Sequence, residues 1–85
     1  MKHAGQAAVD ELEPLLARLR ALPGLKEKTR GVFYPKSKAF LHFHEDPKGL
    51  FADIRRADGD FDRLDVTASA GRDAILADAA ARITA

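Results

Sequence analysis

AFLHFHEDPKGLFADIRR, residues 39–56, decides how this chain is read. Two alternating runs flank Glu-Asp-Pro-Lys-Gly, which reads as an antiparallel hairpin. With residues 45–48 as the loop, His44 opposes Gly49, Phe43 opposes Leu50, His42 opposes Phe51, Leu41 opposes Ala52 and Phe40 opposes Asp53. This register sorts the side chains cleanly. One face collects Leu41, Phe43, Leu50, Ala52 and Ile54. The other collects Phe40, His42, His44, Phe51, Asp53 and Arg55. A one-residue shift would mix aliphatics with histidines on both faces.

Working outward, GVFY (31–34) reads as a preceding strand and FDRLDV (61–66) as a weaker following one. Pro35-Lys36 fits a type I turn, which would place Val32 and Tyr34 on the aliphatic face and Phe33 on the aromatic one. A tight turn at Asp58-Gly59 would put Phe61 and Arg63 on the aliphatic face. A bulge near Asp62-Arg63 is therefore expected, returning Leu64 and Val66 inward.

Helical patterns bracket the sheet. Val9, Leu12, Leu15, Leu16, Leu19 and Leu22 recur at spacings of three and four. Asp10 and Glu13 have capping-box spacing, but Pro14 forces a late start or a kink. Pro23-Gly24 ends the element. Residues 1–5 are expected to fray. Ala74, Ile75, Leu76, Ala79, Ala80 and Ile83 line a final helix, with Thr67 or Ser69 as its cap and Asp78 four before Arg82. The expectation is one α+β domain over residues 1–85. It is a two-layer sandwich with a meander of three to four antiparallel strands, two helices on one face and the order α-β-β-β-β-α.

At 85 residues the chain has a thin core, of the kind that gains from a metal, a ligand or a partner. It has no cysteine, which excludes disulfides and thiolate metal sites. No signal-like or membrane-spanning run is evident, so the reading is cytoplasmic, without a membrane partner. Net charge is +1, yet residues 1–44 carry +4 and residues 45–85 carry −3. The basic excess gathers at Lys26, Lys28, Arg30, Lys36 and Lys38, either a solvated loop or a contact for an acidic group.

The aromatic face, Phe33, Phe40, His42, His44, Phe51, Asp53 and Arg55, is the candidate working surface. Three phenylalanines on an open sheet face would favour self-association as a homodimer, or capture of a protein or small-molecule ligand. His42 and His44, two apart on a strand, share a face with Asp53, and this trio is the candidate site for a divalent metal. Aromatics with marginal Lys/Arg also permit stacking of single-stranded nucleic acid, although no RNP motif is present. No nucleophile elbow or phosphate-binding loop exists, so the reading leans away from an enzyme and names no catalytic residue and no obligatory cofactor.

LPGLKEKTRGVFY followed by KSKAFLHFHEDPKGLFADI resembles the start of the MmcQ/YjbR-like small bacterial domains, over residues 20–56. The matching positions are Leu22, Pro23, Gly24, Lys38 and Phe40. HFHEDPKGLFAD is also similar to uncharacterised bacterial proteins labelled luciferase-like. These resemblances imply a compact α+β domain and carry over no catalytic residue.

Overall fold

A computed structural model describes residues 2–35 and 39–84. The elements are β1 (Lys2–His3), α1 (Gln6–Glu11), α2 (Glu13–Arg20), β2 (Lys26–Thr29), β3 (Val32–Tyr34), β4 (Leu41–Asp46), β5 (Gly49–Arg55), β6 (Phe61–Asp65) and α3 (Ser69–Thr84). The class is α+β with an antiparallel sheet. Its strand order is β2-β3-β4-β5-β6, with β1 attached to β4. Six strands replace the three or four expected. No helix among the described residues is long and apolar enough to cross a membrane.

The first apolar stripe is continuous, but the helix beneath it is not. Pro14 has no N–H to give the carbonyl four residues back, so the chain breaks at Leu12 and restarts with Pro14 in the first turn of α2. Leu12, Leu15, Leu16 and Leu19 remain buried across the break. The expected capping box does not form. Gly5 is the N-cap of α1 and contributes no side chain. Asp10 and Glu13 instead accept hydrogen bonds from Arg30, and Glu13 also accepts from Arg20.

Two elements were not legible as strands. Lys26-Glu27-Lys28-Thr29 has no apolar residue, so it lacks a period-two hydrophobic signal, yet it pairs with β3 as a charged edge. Of residues 1–5, expected to fray, Lys2–His3 instead form β1. β4 outruns β3, which meets it only at Phe33–Leu41. Its remaining edge is taken by β1, with Lys2 opposite Glu45 and His3 opposite His44.

Each turn corrects the expected register, and the parity of the correction decides the faces. The central hairpin closes over Pro47-Lys48, so that Asp46 opposes Gly49, His44 opposes Phe51 and His42 opposes Asp53. This is a two-residue slip, and both faces survive it. Gly49 is required there: at φ +147° its Cα lies so close to β6's exit that a Cβ would stand 2.2 Å from Thr67 Oγ1. Before the hairpin, Phe33 pairs with Leu41 rather than Lys38, an odd slip. Phe33 therefore enters the core, fully buried, and Val32 and Tyr34 turn to the other side. The expected Pro35-Lys36 turn lies partly outside the described residues. After the hairpin, residues 56–60 form the loop and Arg55 opposes Phe61. That odd slip puts Phe61, Arg63 and Asp65 beside the histidines and Leu64 opposite Ala52. No bulge is needed and none interrupts the β5–β6 register.

The core joins Leu15, Leu16 and Leu19 of α2, Leu41 and Phe43 of β4, Leu50, Ala52 and Ile54 of β5, and Ile75 and Ala79 of α3. Phe40, expected on the aromatic face, is also core. It precedes β4 in irregular backbone, where strict alternation does not hold, although its N–H still donates to Phe33 O and its carbonyl accepts from Arg55 N.

Candidate metal centre

On the sheet face that carries His42 and His44, alternation along β4, β5 and β6 aligns Phe51, Asp53, Arg55, Phe61 and Arg63 with them. β1 adds His3, the Cα partner of His44. The three imidazoles cluster. His3 stacks on His44 with ring centroids 4.8 Å apart, and His42 meets His44 edge-on at 5.0 Å. One nitrogen from each ring can be chosen so that all three lie within 4.8 Å of one another.

His42 and His44 are half-buried, and His3 is exposed. His42 Nδ1 and both nitrogens of His44 are buried without a hydrogen-bond partner. His44 Nε2 is 3.1 Å from Asp53 Oδ2, but that approach does not meet hydrogen-bond geometry. Buried polar atoms are normally satisfied, so three orphaned nitrogens in one cluster call for an explanation. Burial pushes the His42 pKa below its ordinary value, against the pull of the Asp53 carboxylate. The neutral ring is the form that ligates metals.

Asp53, the expected third ligand, is buried and already held. Arg63 Nε donates to Oδ1 at 2.7 Å and Arg63 Nη2 to Oδ2 at 2.9 Å. This paired contact lowers the Asp53 pKa against the opposing cost of burial. The carboxylate is therefore engaged by Arg63 and lies beside His44 Nε2 without a hydrogen bond to it. Phe61 packs on His42 with centroids 5.1 Å apart, and the Arg55 guanidinium lies 4.6 Å over the Phe61 ring. Arg55 donates to the carbonyls of Ala39 and Gly59, which ties the rim of the face to the neighbouring loops.

Of the residues expected on this face, His42, His44, Phe51, Asp53 and Arg55 are together there, and Phe33 and Phe40 are in the core. His3, Phe61 and Arg63 were missed. The signal for the last two was available: a wider loop at Asp58-Gly59 puts them there without a bulge. His3 carried no local signal, because a two-residue strand has no periodicity. Arg30 is held by Asp10 and Glu13, and Lys28 lies 4.8 Å over the Tyr34 ring. Lys26 sits exposed on the edge strand, while Lys36 and Lys38 lie outside the described residues.

No protein family, curated protein or solved structure matches this chain.

Proposed function

We propose that this chain is a small metal-binding module that holds a first-row divalent ion of the Zn2+ class on His3, His42 and His44. The observation that carries the reading is the converging trio of imidazoles, in which His42 Nδ1 and both nitrogens of His44 are buried without a partner. Three neutral imidazoles suit Zn2+, Co2+ or Ni2+ and disfavour Ca2+ and Mg2+, which take oxygen ligands. The spacing is workable. An equilateral triangle 4.8 Å on edge has its centre about 2.8 Å from each corner, against a Zn–N bond of about 2.0–2.1 Å. Rotation of the exposed His3 ring and small turns of the other two bring the nitrogens inward. Asp53, clamped by Arg63, is the carboxylate that would fix the orientation of His44. Three protein ligands leave a coordination position open to water or another donor. The architecture this needs is two-layered, with helices covering the aliphatic face and the imidazole face left accessible.

Co2+ tests this directly. Wild-type protein should bind one equivalent and give the intense visible bands of a tetrahedral site, with Zn2+ displacing it. His42→Ala should weaken binding by at least about 100-fold and Asp53→Asn by about 10–100-fold. A Co2+ titration without such bands, or one unaltered in His42→Ala, sinks the reading.

Docking of a second copy or another partner on the same face is the second reading. Phe51 and Phe61 support it, half-exposed there and flanked by Arg55 and Arg63. It has lost Phe33 and Phe40 to the core. Sedimentation across protein concentration tests it, and a mass constant at 9.3 kDa rejects the homodimer.

A further inference from the structure

We propose that β1 is a metal-operated strap: an ion held by His3, His42 and His44 on one face fixes Lys2 at the rim of a cleft on the other. The inference rests on the metal reading above and adds to it a coupling between two surfaces.

β1 has two residues, so its side chains point to opposite sides of the sheet. His3 joins the imidazoles. Lys2, opposite Glu45, points the other way, with Nζ 3.3 Å from Glu45 Oε1. There it helps line a cleft of about 750 Å3 with Glu11, Glu45, Pro47, Lys48 and Thr67. The strap's own attachment is slight. Both residues are exposed, and its joint to α1 is held by the Ala4 N–H donating to Phe43 O at 3.1 Å. A surface ion pair and a few edge hydrogen bonds hold two residues only weakly against their conformational entropy. A ligand bond through His3 is much stronger than these contacts. Ion binding therefore selects the docked strap, and anything that favours docking raises ion affinity in return. Departure of the strap would free Lys2 from Glu45 and widen the cleft.

The other candidates carry less. The pocket of about 200 Å3 between Arg18, Ser69 and Arg72 has its cations committed to Asp73, to Glu11 and to carbonyls. The carboxylates of Asp58, Asp60 and Asp62 surround Arg56.

The test is amide hydrogen exchange and NMR on the full chain with and without Zn2+, alongside a Zn2+ affinity measurement. Saturating Zn2+ should slow exchange of the Ala4 amide by at least about ten-fold and should shift Glu45, on the face away from the ion. His3→Ala should abolish both responses. Ala4→Pro, which removes the donor to Phe43 O, keeps all three imidazoles and favours the extended backbone His3 already has, should weaken Zn2+ binding by about three- to ten-fold. Zn2+ that binds the wild type tightly while Ala4 exchanges at its metal-free rate overturns the strap and leaves the metal reading standing. Absence of Zn2+ binding overturns both.

Discussion

At the scale of single residues, the sheet face is organised by a carboxylate that Arg63 clamps beside His44. Asp53 is buried, and Arg63 satisfies both of its oxygens while reaching it from solvent. Removing one partner of such a pair leaves a desolvated charge, whereas removing both does not. Arg63 is half-exposed, so water can replace part of its contribution. Arg63→Met is therefore expected to destabilise the fold, by less than the loss of a partner from a fully buried pair would. The double variant Asp53→Leu with Arg63→Met should be less destabilised than Arg63→Met alone. Urea unfolding midpoints decide this, and simple additivity of the two changes would contradict the shared-charge account. His42 and His44 were legible as face partners of Asp53 because strand alternation links them through local sequence. Arg63 was hidden because its face depends on a loop length ten residues from the hairpin's centre.

At the scale of elements, close approach and charge pairing set the sensitive joints. Gly71 lies in the first turn of α3, and a Cβ there would stand 1.8 Å from Asp65 O, a backbone atom that cannot swing aside. Glycine to alanine inside a helix ordinarily stabilises by roughly 1 kcal/mol. Here the sign should reverse, with Gly71→Ala costing about 1–3 kcal/mol as the helix is pushed off the end of β6. A thermal midpoint equal to or above wild type would refute that packing. α2 and β2 are tied by Arg20, which donates to Glu13 and Glu27, while Arg30 donates to Glu13. These guanidinium contacts draw the Glu13 pKa from 4.5 down to about 2. A depressed carboxylate stabilises the fold above its unfolded pKa and loses that contribution as the pH falls through the folded value. The stability gap between wild type and Glu13→Gln should thus be constant above pH 4.5 and close toward pH 2, with added salt narrowing it throughout. A gap independent of pH over that range would mean that packing, not charge, is responsible. The elements with apolar period were legible in the sequence. β2 and β1 were not, since one is all polar and the other too short to show a period. The faces followed a parity rule: the even slip at Pro47-Lys48 preserved the hairpin's two sides, and the odd slips on either side of it exchanged Phe33 for Val32 and Tyr34 and moved Phe61 and Arg63 to the histidine face, while Leu64 lies on the core side as expected, without the bulge.

At the scale of the molecule, a chain of 85 residues has little stability in reserve, and a ligand that binds only the folded form changes it measurably. The three imidazoles come from β1 and β4, and in the sequence His3 is separated from His42 by α1, α2, β2 and β3. A site assembled across that distance exists only after folding, so binding of the proposed ion should add to folding stability. At a free Zn2+ concentration 100 times the dissociation constant the gain is about 2.7 kcal/mol. For a domain near this size, about 4–8 °C in midpoint per kcal/mol gives a rise of roughly 10–20 °C. Mg2+ at the same concentration should leave the midpoint unchanged, because the site offers nitrogen ligands and Asp53 beside them is already held by Arg63. His3→Ala should unfold at the same temperature as wild type without metal, since His3 is exposed, and should lose most of the Zn2+-dependent rise. Scanning calorimetry of the two proteins with Zn2+, with Mg2+ and with chelator gives all six midpoints. A Zn2+ rise that persists in His3→Ala would place the ion elsewhere on the chain, and equal responses to Zn2+ and Mg2+ would reduce it to non-specific screening of charge.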